Sequence, residues 1–159
     1  MGKIRVRFIK SRTLLGIGIA WWTGSLFDHV EFGTPAGTWI GAHAGSGVQE
    51  RAANYCKPCR EYDYEIVCGA EQERELLRWA RGKIGTKYNM RDILGLAIQA
   101  RGLTSPSRMI CSQFVVDGLI HTLGAARVLN VLPAWTYRIT PEAAHLSPIF
   151  YGCLVRKSG

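Results

Sequence analysis

The sequence predicts an α+β fold, a small antiparallel sheet packed against helices, and three observations carry that expectation. Lys3, Arg5 and Arg7 alternate with Ile4, Val6 and Phe8, a period of two that gives a strand one polar and one apolar face. Two further short apolar runs, residues 28–32 and 38–44, flank Gly33-Thr34-Pro35-Ala36-Gly37, which is the composition of a strand, a turn and a second strand. Later segments repeat apolar residues at helical spacing instead, among them Phe114, Val115, Leu119 and Ile120. At 159 residues, 47% of them hydrophobic, the chain is sized for a single domain over 1–159 with a real core, and its composition excludes a disordered polymer.

The first strand presents a basic face, either solvated or in contact with an anionic polymer or lipid headgroups. The formal charge of +8 and a pI near 9.5 agree with attraction to such partners. No helix-turn-helix, zinc-finger or aromatic RNA-binding pattern accompanies that charge, so specific nucleic-acid recognition is not expected. Leu14 to Trp22 is the most apolar stretch. At nine residues it falls short of the roughly 20 needed to span a bilayer. It lacks a small-x-small cleavage site before His29, so it reads as a Gly-weakened helix after Ser11 rather than a signal peptide. Trp21 and Trp22 are candidates to wall a substrate groove or touch a membrane surface, with core packing as the plain alternative.

The hairpin places two histidines. If its centre falls at Ala36, His29 lies opposite His43, with Cβ atoms roughly 4.5–5.5 Å apart. Parity then sends Val30 and Phe32 to one face and His29 and Glu31 to the other, while Gly41 leaves room beside His43. A slip of one residue would separate the pair. Residues 47–55 and 61–68 read as further strands.

Gly69 to Gly82 reads as a helix, with Glu71, Glu73 and Glu75 early and Arg78, Arg81 and Lys83 late, matching the helix dipole. Asn89 can cap a second helix through Arg101, closed by Gly102. A third helix runs from about Ile110 to Gly124, after the loop-like Leu103-Thr104-Ser105-Pro106-Ser107-Arg108. Cys111 therefore stands at a helix N-terminus, where unpaired N–H groups and the dipole favour a thiolate and could hold an oxyanion. A short helix after Thr140 and a last strand over 150–156 complete the layout. His121 and His145 read as structural residues.

Taken singly, a cysteine at an apolar helix start is usually a small buried hydrophobe, and a strand histidine is usually structural. The three together, with their flanking residues, resemble the circularly permuted branch of the NlpC-type papain-like superfamily, the YaeF/YiiX-like proteins and their phage relatives. In the unpermuted family a Cys-Ser motif opens a helix, a histidine begins a following strand, and a polar residue sits on the next. Here the two histidine strands come first and the Cys-Ser helix last, as in the permuted branch: Asp28-His29-Val30, then Ile40-Gly41-Ala42-His43-Ala44, then Ile110-Cys111-Ser112-Gln113. The resemblance implies a permuted papain-like fold, with Cys111 as nucleophile, His29 as base and His43 as the third polar residue. Gly85-Thr86-Lys87-Tyr88 resembles the stretch whose tyrosine approaches the active site, and Thr140-Pro141-Glu142 with Ser147-Pro148 resembles the branch's C-terminal segment. Gln113 and Asp28 depart from the usual pattern without removing a proposed catalytic group.

The resemblance implies a cysteine peptidase or amidase that forms an acyl-thioester, with bacterial cell-wall peptide as substrate. His29 draws the proton from Cys111, His43 fixes the tautomer of His29, with Glu31 as the fallback orienter, and Tyr88 assists the oxyanion. Two alternatives stay open: a lipid-directed acyltransferase of the lecithin:retinol acyltransferase-like type, and a non-enzymatic binding protein on the same scaffold. No cofactor is expected. Cys56-Lys57-Pro58-Cys59, followed by Cys68, has zinc-like spacing but lacks a second pair of ligands, so no metal is expected there. Five cysteines without an export signal suggest reduced thiols, in a protein that is cytoplasmic or delivered by a phage.

Overall fold

The computed structural model describes residues 1–13, 17–18, 21, 25–88, 108–128 and 139–158. The alternating N-terminal run forms β1 (Gly2–Lys10), which lies inside the sheet and pairs antiparallel with both β2 (His29–Gly33) and β5 (Arg60–Cys68). β3 (Trp39–His43) and β4 (Gly47–Arg51) extend the sheet on one side, and β8 (Leu154–Ser158) on the other. The order is β4-β3-β2-β1-β5-β8, all neighbours antiparallel. Residues 52–55, expected to continue β4, turn away instead, and the last strand starts four residues later than expected because Pro148–Phe150 forms a 3-10 turn.

Two helices cover the apolar face. α1 (Ala70–Gly82) begins where the Gln72 side chain accepts from the Gly69 N–H at 2.9 Å, and carries Glu71 and Glu73 in its first turn. α2 (Cys111–Leu123) follows the two-residue parallel pair of β6 (Lys87–Tyr88) with β7 (Arg108–Met109). It packs on β2, β3 and α1, with Phe114 against Phe32 at 5.5 Å and stacked on Trp79 at 5.3 Å. A Cβ on Gly118 would meet Trp79 and Phe32 side chains at 2.8–3.0 Å, so the helix reaches the sheet only because this residue has none. α3 (Ala125–Val128) and α4 (Pro141–His145) are short, and the Thr140 hydroxyl caps α4 by accepting from the Ala143 N–H.

Ile4, Val6, Phe8, Phe27, Val30, Phe32, Ile40, Leu76, Phe114 and Leu119 are fully buried. Each such side chain contributes roughly 1.5–3 kcal/mol relative to exposure. Within this core Phe8, Phe27, Tyr62 and Tyr64 surround His145, with Phe150 edge-on to Phe8; the His145 Nε2 lies 2.6 Å from the Tyr64 hydroxyl.

The basic face of β1 differs from both expectations at Arg7, which is only 3% exposed. Its guanidinium pairs with Glu31, directly opposite on β2, and lies 3.6 Å from Glu61. Lys3 pairs with Glu65 at 2.8 Å, and Arg5 approaches Asp63 at 3.7 Å. Cross-strand acids thus answer the three cations. The helix expected over Asn89–Arg101 lies outside the described residues; Ile17, Gly18 and Trp21 are helical, in keeping with a helix after Ser11. Among the described residues, no helix is long and apolar enough to cross a membrane.

Candidate active site

The hairpin register fixes the site. Phe32 pairs with Ile40 and Gly33 with Trp39, so the strands are symmetric about Ala36 and His29 falls opposite His43. Their ring centroids stand 4.6 Å apart. Gly41 lies between them: an added Cβ would meet the Glu31 Cβ at 2.9 Å and the His29 Nε2 at 3.3 Å. Only glycine lets the two strands bring both imidazoles and the Glu31 carboxylate onto this one patch.

Glu31 is the centre of the patch. One carboxylate oxygen, Oε1, accepts from Arg7, whose Nε lies at 2.9 Å. The other, Oε2, accepts from the Tyr55 hydroxyl at 3.0 Å and faces His29 Nε2 at 3.4 Å and His43 Nε2 at 3.9 Å. Burial alone would favour the neutral acid, but His29 and Arg7 outweigh it and hold the Glu31 pKa near 2. Burial likewise opposes a charge on His29, yet its contacts with the Cys111 thiol and Glu31 raise its pKa to about 10. His43 goes the other way, to about 3, because burial and the neighbouring His29 cation both disfavour its protonation. The two opposed histidines are thus shifted in opposite directions, His29 upward and His43 downward.

Cys111 is the first residue of α2 and is buried. Its N-cap, Ile110, has extended backbone and no capping side chain, as the sequence implies. The thiol lies close enough to His29 to raise its pKa and stands 4.0 Å from the Asp28 carbonyl. Asp28 is held by Ser11, whose N–H and hydroxyl donate to its carboxylate at 2.9 and 2.5 Å, and by its own N–H, which donates to the Ile9 carbonyl. The start of β2 is thus tied down next to the sulfur. On the next residue, the Ser112 hydroxyl donates to the Ile139 carbonyl.

Tyr88 arrives through the β6–β7 pair, which sets it beside Met109, two residues before the cysteine. Its hydroxyl is held neutral, first by burial and then by the Cys111 sulfur. A cavity of about 400 Å³ opens here; His29, His43, Tyr55, Cys56, Arg51 and Tyr88 are among its lining residues. Trp21 stands 79% exposed and is not among them, while Trp22 lies outside the described residues. Cys56 and Cys59 carry free thiols, as do Cys68, Cys111 and Cys153.

Sequence reasoning named Glu31 only as a fallback and did not find Arg7 or Tyr55 in this site. Arg7 looked like one of three surface cations, and Tyr55 sits in an irregular loop where no periodicity betrays its direction.

Fold and site together describe an α+β protein in which a cysteine at a helix start faces a histidine-bearing antiparallel sheet. Among solved structures the chain is similar to the metalloprotein YiiX of Escherichia coli O157:H7, with a TM-score of 0.68 and 16% identity over 97% of this chain and 96% of that one. The fold is YiiX-like. No family model matches the sequence, and no curated protein matches it.

Proposed function

We propose that the protein is a cysteine hydrolase that cleaves an amide bond through an acyl-thioester. The observation that carries this reading is the contact between a thiol at the N-terminus of α2 and an imidazole whose proton affinity that thiol and Glu31 both raise. In the proposed cycle His29 takes the proton from the Cys111 sulfur. The thiolate attacks the carbonyl carbon, and the resulting oxyanion is held by backbone N–H at the start of α2 and the neutral Tyr88 hydroxyl. The C–N bond then breaks, and the leaving nitrogen takes its proton from His29. Water, deprotonated by His29, cleaves the thioester, releasing the acid and restoring the thiol.

The orienting role falls to Glu31, whose Oε2 is nearer to His29 than to His43. His43 stays neutral and packs the imidazole in place. A permuted papain-like arrangement, with bacterial cell-wall peptide as substrate, follows from the family resemblance of the His29, His43 and Cys111 segments.

Iodoacetamide alkylation with mass mapping tests the pair. Burial raises the Cys56 and Cys68 thiols above their usual range, so these should react slowly. Cys111 is expected to react fastest, and His29→Ala to remove that advantage. Turnover of muropeptides should vanish in Cys111→Ser and fall about 10²–10⁴-fold in His29→Ala. A Cys111 no more reactive than Cys56 or Cys68 would leave a binding scaffold instead. One observation favours acyl lipids as the substrate: Ile17, Trp21 and Leu26 are exposed apolar side chains in the segment leading to β2. Acyl transfer from phospholipid vesicles without muropeptide cleavage would decide for that reading.

A further inference from the structure

We infer that His29, Glu31 and His43 form a site for one divalent transition-metal ion of the zinc class. Each offers one ligand atom, and these atoms lie within 4.8 Å of one another. A tetrahedral ion with ligands at about 2.0–2.2 Å separates neighbouring ligand atoms by about 3.3–3.6 Å. The two histidine nitrogens stand 3.4 and 3.9 Å from the shared carboxylate oxygen, so small side-chain movements close the set around an ion.

A second, independent observation points to a ligand. The Nε2 atoms of His29 and His43 are both sealed from solvent, and neither makes an aligned hydrogen bond. Buried polar atoms are normally satisfied, and a cation at this point would satisfy both. Two imidazoles and one carboxylate match the borderline-soft preference of zinc better than that of calcium or magnesium. Both histidines line the cavity, which leaves a fourth position for water or another ligand. Arg7 engages the opposite oxygen of Glu31, Oε1, and Tyr55 already donates to Oε2. Their presence, with the Arg7 charge nearby, makes the site weaker than a closed structural zinc centre.

The ion would occupy the His29 nitrogen that otherwise faces Glu31, and His29 must lose its proton there to bind it. Binding itself does not depend on the hydrolase reading, because Cys111 is not a ligand.

Isothermal titration with zinc and absorption titration with cobalt(II) test the site in the wild type, Cys111→Ser, Cys56→Ser and His43→Gln, with circular dichroism as the check on folding. One ion per chain should bind the wild type and both serine variants alike, giving a tetrahedral cobalt spectrum without a sulfur-to-metal band. Affinity should fall about tenfold or more in His43→Gln, since even outer-shell losses reach that size. Should that variant fail to fold, His29→Gln replaces it with the same expectation. Absence of saturable binding, affinity unmoved by the histidine variants, or a sulfur band abolished in Cys111→Ser would each overturn the site. Failure of the wild type to turn over muropeptides while its metal binding is intact would instead count against the hydrolase alone.

Discussion

Arg7 and Glu31 are both buried and paired with each other, and Glu31 is held by His29 as well. Breaking one side of such a pair leaves an unpaired charge away from water, at a cost of about 3–5 kcal/mol. Glu31→Gln is therefore expected to lower unfolding free energy in urea by that amount, with a smaller added loss in Arg7→Met/Glu31→Gln than the two single changes sum to. Equal, additive losses would mean that the pair is not coupled. The same substitution is expected to slow Cys111 alkylation, since Glu31 helps to hold the proton on His29. One residue thus joins the stability of the sheet to the chemistry at its end.

At the level of elements, the hairpin was legible and the cavity was not. Residues 29 and 43 are equidistant from Ala36, and the ladder keeps that symmetry because the apolar face of Val30 and Phe32 must stay in the core. The start of α2 at Cys111 was legible from its periodicity and Gly124. What the sequence concealed is contact across elements: Tyr55 reaching Glu31 from a turn, and Arg7 drawn inward by acids on β2 and β5. Such contacts depend on three-dimensional neighbours rather than on any local pattern. Gly118 shows the same limit, since an ordinary helix interior gives no reason for glycine. Intrinsic propensity predicts that Gly118→Ala stabilises by up to about 1 kcal/mol, but the close approach of Trp79 and Phe32 reverses the sign. Overpacking of this kind costs typically about 1–3 kcal/mol, so Gly118→Ala should lower the denaturation midpoint.

Across the whole molecule, acid sensitivity is expected from His43, whose pKa is held near 3, and from a second histidine outside the candidate site. His145 lies in the aromatic cluster, and burial lowers its pKa below the usual 6.5 despite the opposing pull of Glu142. The unfolded chain therefore takes up a proton there before the folded chain does. Stability from this group is complete above pH 6.5 and declines as the pH falls below it. Thermal scans should show a falling Tm from pH 7 to pH 5, and His145→Phe should flatten that limb. An unchanged slope in the variant would assign the acid sensitivity to other groups.

The strand order has a consequence for synthesis. β1 through β5 all lie within residues 2–68 and include five of the six strands of the main sheet, together with Arg7, His29, Glu31 and His43. Chains emerge from the ribosome amino end first and begin to fold in that order. His29 and Glu31 are thus polymerised about eighty residues before Cys111, and only the later docking of α2 brings the sulfur to them. A nascent chain halted after β5 would carry the two imidazoles without the sulfur, so the thiol meets His29 only on completion of the fold.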